Sequence, residues 1–325
     1  MSHKLSAVSL WILRGPGYVR PMTSFSATVV GQLARDLVLT VDDWPEPGSA
    51  TDATGRREQL GGKGANQAVA LAQLGVRPRL VAVAGDDVIG DVLLDQARRD
   101  GIDVSAVVRR RGTLTGLIVE ILGAGGTWRY VQDLPPAVQL QPADLPSPGS
   151  SDAVLVQMQQ PAATAVAAAR AGREAGCLVV LDGVPGDDVI AYADVVRADD
   201  REAALMFGVP ADRDALLGPA RDLLRRGPKL VAVALAAGGN LLVWADGDVV
   251  VPLTDEETVD TTGGGDAFVA SLTAALLRGA SYPEAGCWAA AASGATVTHP
   301  SGRPSLSTAA LEPRVAELTK RLADD

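Results

Sequence analysis

The stretch Asp-Thr-Thr-Gly-Gly-Gly-Asp-Ala-Phe occupies residues 260–268 and runs into an apolar segment at 267–278 with helical spacing. Glycines at the start of a helix let backbone N–H groups converge on an anion, and the helix dipole favours negative charge there. A carboxylate at the same place, Asp266, suits a group that takes a proton from a hydroxyl attacking a bound phosphoryl group. The residues alone leave a second interpretation open, in which Asp266 caps the helix after a glycine-rich turn.

A second glycine-rich turn, Gly-Gly-Lys-Gly-Ala-Asn-Gln at residues 61–67, leads into a predicted helix at 65–74. Backbone N–H groups, one ammonium group and one side-chain amide suit a phosphate or a polyhydroxylated ligand. The turn lacks the spacing of a Walker A loop, and no Gly-x-Gly-x-x-Gly fingerprint follows the first predicted strand. By itself it is also compatible with an ordinary glycine turn that carries a solvated Lys63.

Short β-rich runs and helical stretches alternate along the chain. The β-rich runs occupy residues 27–33, 79–84, 153–157, 178–182, 195–198, 230–235 and 240–245. The stretches with helical spacing occupy residues 65–74, 89–100, 162–175, 214–225, 267–278 and 283–297. This alternation predicts an α/β fold with a mostly parallel sheet covered by helices on both faces.

Two segments break the alternation. Residues 37–41 continue from the first predicted strand, and residues 115–122 match residues 127–132 across a Gly-Ala-Gly-Gly turn. Both have the pattern of antiparallel strands. We expect a small β-sheet built from segments near 34–60 and 109–135, which would cover a ligand and exclude water. The alternative is a set of edge strands without such a role.

Composition limits the possible partners. The chain has 325 residues, 47% of them hydrophobic, and a formal net charge of −10. Nucleic acids and anionic membranes both need a basic face, so neither is expected as a partner. The cysteines, Cys177 and Cys287, lie in apolar runs and predict buried reduced thiols in a cytoplasmic protein. Two histidines are too few for a Cys/His zinc cluster.

The chain is predicted to form one domain from residue 22 to residue 325. Met22 directly precedes the first β-rich run, so residues 1–21 are expected to be an N-terminal extension. The apolar run at 7–13 is too short to cross a bilayer. No linker long enough to separate independent domains interrupts the rest of the chain.

Together, the two glycine-rich segments resemble the signatures of the ribokinase (PfkB-type) carbohydrate kinase family. GGKGANQAVALAQLG at 61–75 is similar to its N-terminal signature, and DTTGGGDAFVASLTAALLRG at 260–279 to its C-terminal one. VVGQLARD at 29–36 and GDDVIG at 85–90 match in register, so the resemblance extends from about residue 27 to the end. It implies a ribokinase-like α/β fold with a small β-sheet lid, and transfer of a phosphoryl group from ATP to a hydroxyl of a sugar-like substrate. It also implies magnesium, with potassium as a further expectation, and a homodimer that pairs through the lid.

The resemblance assigns roles to individual residues. It makes Asp266 the catalytic base, beside an anion hole formed by Gly263, Gly264 and Gly265. Positions that contact the sugar fall on Asp36, Gly62, Lys63, Asn66 and Gln159. Nucleotide-binding positions fall on Asp199, Ala234, Ala236 and Gly239. Glu202 matches a glutamate that orders magnesium through water, and the loop for a monovalent cation falls on Asp260, Thr262, Ser301 and Ser305.

Several positions depart from the family pattern. Asp199 replaces the asparagine of an Asn-x-x-Glu motif, and Ala234 and Ala236 replace the Thr and Gly of a nucleotide-binding turn. Ala34 and Gln159 stand where ribose-specific members carry Asn and Glu, which argues against ribose as the acceptor. The alternatives are a nucleoside or a 2-keto-3-deoxy sugar acid as acceptor. A further alternative is that the chain is a catalytically weak regulator that binds sugar or nucleotide.

Overall fold

The computed structural model describes residues 25–123, 128–147, 149–299 and 303–324. The strands in this part of the chain are β1 (Ser26–Val30), β2 (Ala34–Val41), β3 (Gly55–Gly61), β4 (Arg77–Val81), β5 (Val83–Gly85), β6 (Val108–Arg110), β7 (Leu117–Gly123), β8 (Trp128–Asp133), β9 (Ala153–Gln157), β10 (Leu178–Asp182), β11 (Val195–Ala198), β12 (Leu230–Ala234), β13 (Asn240–Trp244) and β14 (Gly247–Val251). The helices are α1 (Lys63–Gln73), α2 (Val88–Arg99), α3 (Ala162–Glu174), α4 (Asp200–Phe207), α5 (Arg213–Leu224), α6 (Gly264–Leu277), α7 (Tyr282–Val297) and α8 (Thr308–Asp324).

The main sheet has eight strands in the order β14-β13-β12-β11-β10-β9-β1-β4. Neighbouring strands from β4 to β12 in this order run parallel, and β13 and β14 are antiparallel to their neighbours. The prediction of a mostly parallel sheet is therefore confirmed, and β9, β10 and β11 have the predicted bounds. Strand β14 was not predicted; it returns from β13 through the two-residue turn Ala245-Asp246 and forms one edge of the sheet.

Helices cover both faces of this sheet, as predicted. On one face α1, α6 and α7 pack on the strands and α8 packs on α7, and together they bury side chains such as Leu71, Leu272 and Leu311. On the other face α3 and α5 bury Ala168 and Leu216. Because α6 and α7 contain many small residues, their backbones can approach closely, and most residues of both helices are buried. No helix in the described part of the chain has both the length and the apolar character needed to span a membrane.

A smaller sheet, which we call the lid sheet, has four strands in the order β3-β2-β7-β8. Strands β2 and β7 pair in parallel, while the two outer pairs are antiparallel. The expected continuation of the first strand into 37–41 is wrong, because β1 ends at Val30 and the chain enters the lid sheet at Ala34. Strand β6 also lies outside the lid sheet, since it pairs in parallel with β5.

Two helices were not predicted. In α4 the capping box of Asp199 and Glu202 starts a helix of only eight residues, which is too short for a clear hydrophobic period. Helix α8 carries Pro313 within it and buries only Leu311 and Leu318. Its apolar residues Leu311, Val315, Leu318 and Leu322 nevertheless recur at helical spacing, so a signal for this helix was present in the sequence.

Candidate active site

The carboxyl ends of the parallel strands carry a group of polar residues. Gln157 ends β9, Asp182 ends β10, and Arg197 lies next to the last residue of β11. Helices α1 and α6 begin at the same edge, since their first turns are joined by hydrogen bonds from Asn66 and Gln67 to Asp266. Ligands of open α/β sheets bind at this edge, so the fold itself selects this location.

The turn before α1 is built from close backbone approaches. Gly62 has a φ of 85°, and a Cβ on Gly61 would lie 1.9 Å from the carboxylate of Asp36. Glycine is therefore required for Asp36 to lie over this turn, where the N–H of Gly62 donates to it. A Cβ on Gly64 would meet the backbone of Gly31 at 2.7 Å, which holds α1 against the end of β1.

Asp266 lies in the first turn of α6 and is 7% exposed. Its Oδ2 accepts from Asn66 Nδ2 at 3.1 Å, and its Oδ1 accepts from Gln67 Nε2 at 3.2 Å. The helix-cap interpretation is wrong, because Gly263 occupies the N-cap position and makes no side-chain cap. The carboxylate is instead directed to the neighbouring helix α1.

The pKa of Asp266 is raised to about 6, first by burial and second by the negative charge of Asp182. Lys63 and the hydrogen bonds from Asn66 and Gln67 act in the opposite direction. A carboxyl group with this pKa is ionised at neutral pH and is still basic enough to accept a proton from a hydroxyl group.

Asp182 and Arg197 are site residues that the sequence reasoning missed. Arg197 Nη1 donates to Asp182 Oδ1 at 3.0 Å, and Gln67 Nε2 donates to Asp182 Oδ2 at 2.8 Å. Gln67 thereby joins Asp182 to Asp266. A signal was present in the sequence, because each charged residue stands at the end of an otherwise apolar predicted strand, where burial demands a partner.

The glycine run begins with Gly263, which has a φ of 77° and caps α6. The helix starts at Gly264, three residues earlier than predicted, so Gly264 and Gly265 form its first turn, where N–H groups lack helical partners. A Cβ on Gly265 would lie 2.8 Å from Arg197 Nη2. The guanidinium group of Arg197 therefore packs directly against the backbone of the glycine run.

Lys63 is the first residue of α1 and lies 3.4 Å from Glu202 Oε1. Burial opposes its charge, but Asp182, Asp266 and Glu202 outweigh burial and raise its pKa. The interpretation of Lys63 as a solvated side chain is therefore wrong. The ammonium group faces the same carboxylates as Arg197 does.

Glu202 has the donor chemistry for magnesium but only part of a coordination shell. Its Oε2 accepts from the Asp199 N–H at 2.9 Å, while Asp199 Oδ1 accepts from the Glu202 N–H at 2.7 Å. Within the described residues there is no group of three or more His, Cys, Asp or Glu side chains that could hold a metal. Magnesium favours carboxylate, phosphate and water oxygens, so Glu202 fits it only together with nucleotide phosphates and water.

Of the predicted acceptor residues, Asp36 lies in strand β2 of the lid sheet, and Gly62, Lys63 and Asn66 lie at the start of α1. Asp36 is buried at 8% exposure, and burial raises its pKa to about 7, against the lowering effect of Arg303. Among the residues that the structure describes, several buried polar atoms here have no hydrogen-bond partner, namely Asp36 Oδ1, Gln67 Oε1, Glu120 Oε1 and Gln157 Nε2. Such atoms are costly to bury unless a ligand pairs with them. Gln159 lies exposed in the turn after β9.

The loop predicted for a monovalent cation already makes contacts with the protein. Asp260 Oδ1 accepts from the Thr262 N–H at 2.9 Å, and its Oδ2 lies 3.5 Å from an Arg57 nitrogen. The Asp260 carboxylate is therefore engaged, and a potassium ion would have to share it with these contacts. Ser305 is exposed, and Ser301 lies outside the described residues.

The predicted nucleotide-binding residues lie at the same edge of the sheet. Ala234 ends β12 and is followed by a tight turn in which Leu235 N–H donates to the Gly239 carbonyl at 3.0 Å. Gly238 and Gly239 have φ values of 96° and 89°, so they supply the bend, while Ala236 is exposed at its tip. Asp199 follows β11 and caps α4.

Comparison with known proteins agrees with this geometry. A family model described as pfkB family carbohydrate kinase matches residues 25–309. The chain belongs to this family. The predicted ATP-dependent kinase class and ribokinase-like fold are therefore confirmed.

Individual relatives of this pfkB-family chain differ in their acceptors. A ribokinase of Bacillus subtilis is 30% identical, over 77% of this chain and 85% of the relative. An ATP-dependent ribose-1-phosphate kinase of Halopiger xanaduensis is also 30% identical, over 76% of this chain and 83% of the relative. The crystal structure of a ribokinase from Thermotoga maritima superposes with a TM-score of 0.72 at 26% identity, over 91% of this chain and 99% of that one. Overall identity therefore does not select the acceptor.

Proposed function

We propose that this pfkB-family chain transfers the γ-phosphoryl group of ATP to a hydroxyl group of a sugar or sugar-like molecule. The observation that carries the proposal is the position of Asp266. Its buried carboxylate lies in the first turn of α6, next to the N–H groups of the glycine run, and its pKa is raised to about 6. A base and an anion-binding turn are thus adjacent, as attack on a phosphoryl group requires.

In the proposed reaction, the acceptor hydroxyl oxygen bonds to the γ-phosphorus as the bond from that phosphorus to the β–γ bridging oxygen breaks. The hydroxyl proton passes to Asp266, and ADP leaves. Asn66 and Gln67 hold the two carboxylate oxygens in place. Ordering the base in this way leaves little reorganisation for the reaction step.

Charge on the phosphoryl group would be stabilised from several sides. The N–H groups of residues 263–265 form the predicted anion hole, and the cations Lys63 and Arg197 lie at the same end of the sheet. Bound magnesium would supply further positive charge, with Glu202 as its protein contact through water. Nucleotide contacts are proposed for Asp199 and for the turn from Ala234 to Gly239. Potassium stays a prediction from the family resemblance.

The acceptor side supports a ligand with several hydroxyl groups. Asp36 Oδ1, Gln67 Oε1 and Glu120 Oε1 can accept hydrogen bonds, and Gln157 Nε2 can donate one. Asp36, Gly62, Lys63, Asn66 and Gln159 are the proposed contacts. A nucleoside or a 2-keto-3-deoxy sugar acid is the alternative acceptor, and overall identity does not decide the matter, because relatives of equal identity carry different acceptor names.

The test is ADP release with magnesium-ATP, with and without potassium, against pentoses, hexoses, sugar acids and nucleosides. At least one acceptor is expected to stimulate ADP release, and Asp266→Asn is expected to lower its kcat by about 10²–10⁴-fold. Asp222→Asn is a matched control, since that carboxylate is exposed on α5. A wild-type rate in Asp266→Asn would remove Asp266 from the role of base. Nucleotide binding without any acceptor-dependent rate would favour the regulatory alternative.

A homodimer through the lid sheet is proposed from the family resemblance. The face of the lid sheet opposite Asp36 supports it, because Leu37, Leu39, Val119 and Ile121 are only partly buried and Val131 is 65% exposed. Analytical ultracentrifugation should show a dimer for the wild type and a monomer for Val131→Glu. A wild-type monomer at assay concentrations would refute the pairing. The predicted cytoplasmic location is supported by Cys177 and Cys287, which are both free and buried.

A further inference from the structure

One row of residues crosses all four strands of the lid sheet. The strand registers align Arg57 with Val38, Val38 with Glu120, and Glu120 with Tyr130. Asp36 lies two residues before Val38, so it shares the face of this row. The face that carries the proposed acceptor contact therefore also carries an arginine, a glutamate and a tyrosine in line.

The row contacts the loop that leads into the glycine run. Thr262 Oγ1 donates to Glu120 Oε2 at 3.2 Å, and Tyr130 Oη lies 3.0 Å from Thr262 Oγ1. A threonine hydroxyl has one proton, so Tyr130 must be the donor in the second bond. Burial raises the pKa of Tyr130 to about 12, which keeps its proton in place. The bonds thus run in one direction, from Tyr130 through Thr262 to Glu120.

The same loop is also bonded to helix α7. The N–H groups of Val259 and Asp260 both donate to the carbonyl of Val297 in α7, at 2.8 and 3.0 Å. Gly263 follows Thr262 directly and has the φ of 77° that turns the chain into α6. The direction of the next N–H groups therefore depends on where Thr262 is held.

We propose that Glu120 and Tyr130 are positioning residues that act through Thr262 and orient the N–H groups of residues 263–265. This inference rests on the proposed function, in which those groups bind the phosphoryl group. Glu120 is 3% exposed and its Oε1 has no partner among the described residues, so the same side chain can also contact the acceptor. The lid sheet then links acceptor binding to the geometry of the phosphoryl site.

The first test needs no acceptor. Hydrogen–deuterium exchange of peptides that cover residues 259–268 is compared in the wild type, Tyr130→Phe and Glu120→Met, since methionine leaves no oxygen acceptor for Thr262. Both variants are expected to exchange at least about threefold faster in this segment, because Thr262 loses a partner that held the loop. Tyr282→Phe is the matched control, since Tyr282 packs on Trp244 at the other end of the main sheet and should leave the segment unchanged. Unchanged exchange in both lid variants would overturn the proposal.

The second test uses an acceptor found for the wild type. Each lid variant is expected to lower kcat about fivefold to tenfold, the usual effect of one lost hydrogen bond, without changing the KM for ATP. Thr262→Val should lower kcat by more, and adding Tyr130→Phe to it should have no further effect. The proposal would be overturned if the fold-loss in kcat of the double variant equalled the product of the two single losses. A rise in the KM for ATP with an unchanged kcat would also overturn it. If the wild type phosphorylates no acceptor, the proposed function fails, whereas the exchange experiment still decides the positioning role.

Discussion

Replacing Arg197 by methionine is expected to reduce both the stability of the fold and phosphoryl transfer, and the two losses can be separated. Arg197 bonds to Asp182 at 3.0 Å, and their side chains are 9% and 1% exposed. The pKa of Arg197 is raised: burial works against its charge, but Asp182 and the nearby Glu202 and Asp266 outweigh burial. The guanidinium group therefore balances carboxylates that have little access to water.

The size of the stability loss follows from this burial. Removing one member of a buried ion pair leaves the other charge uncompensated and costs about 3–5 kcal/mol. With 325 residues and an unfolding entropy of about 2.1 cal/mol/K per residue, that corresponds to a fall in Tm of about 4–7 °C. Replacing both members, as in Arg197→Met with Asp182→Asn, removes both buried charges and should restore most of the lost Tm. The side-chain amide that Asp182→Asn introduces can still accept the hydrogen bond from Gln67 through its oxygen, so the double variant keeps that contact.

The activity loss should persist in the double variant. Arg197 packs against Gly265, so its removal takes a fixed cation from the proposed phosphoryl site and should lower kcat by about 10²-fold. The assay is differential scanning calorimetry of the wild type, both single variants and the double variant, followed by kcat for the folded proteins. Equal melting of Arg197→Met and wild type would refute the stability argument, as would a double variant no more stable than the singles. A wild-type kcat in the double variant would refute the role at the phosphoryl site.

Three further predictions concern charge and space at the same site. The kcat/KM for the acceptor should rise with pH through about 6, because Asp266 must be ionised to accept a proton, and a profile without such a rise would contradict this role. The pKa of Asp36 is raised from 3.8 to about 7 in the folded chain, so the folded state holds this proton more tightly than the unfolded state does. The free energy of unfolding therefore falls as the pH rises from about 4 to about 7. Asp36→Asn should therefore melt above the wild type at about pH 8 and level with it near pH 4, while the KM for the acceptor rises; a lower melting temperature at the higher pH would refute the assignment. Gly265→Ala places a Cβ 2.8 Å from Arg197 Nη2 and should lower kcat at least about tenfold, whereas Gly218→Ala, which has open space around it in α5, should keep the wild-type rate.

The elements that the sequence predicted well are those with strong local patterns. Strands β9, β10 and β11 are short, mostly apolar runs with a polar residue at or next to the end, so their bounds could be read directly. The two glycine-rich turns were located for a similar reason, since glycine is required where the backbone has a positive φ or another chain segment approaches closely. The short helix α4 has a weak pattern and was missed, and α8 was missed although its apolar residues have helical spacing.

The residues of the candidate site also fall into two groups, those inside local sequence motifs and those outside them. Asp266, Lys63 and Asn66 stand inside recognisable segments, and the structure brings them to one place. Asp182 and Tyr130 belong to no such segment, because each acts through a partner that is distant in sequence. Asp182 meets Gln67 across 115 positions, and Tyr130 meets Thr262 across 132. Pairings of this kind follow from the sheet order, which no local pattern encodes.

The sequence by itself determined the α/β alternation, the two glycine-rich turns and the place of Asp266 beside them, because each depends on residues that are neighbours in the chain. Only the tertiary structure decided that Asp266 faces α1 instead of capping its own helix. It also decided that Arg197 lies against the glycine run, and that the lid sheet contacts the loop before that run. The physical reason is that burial and charge pairing depend on which chain segments meet at the carboxyl edge of the sheet, and that is settled by packing.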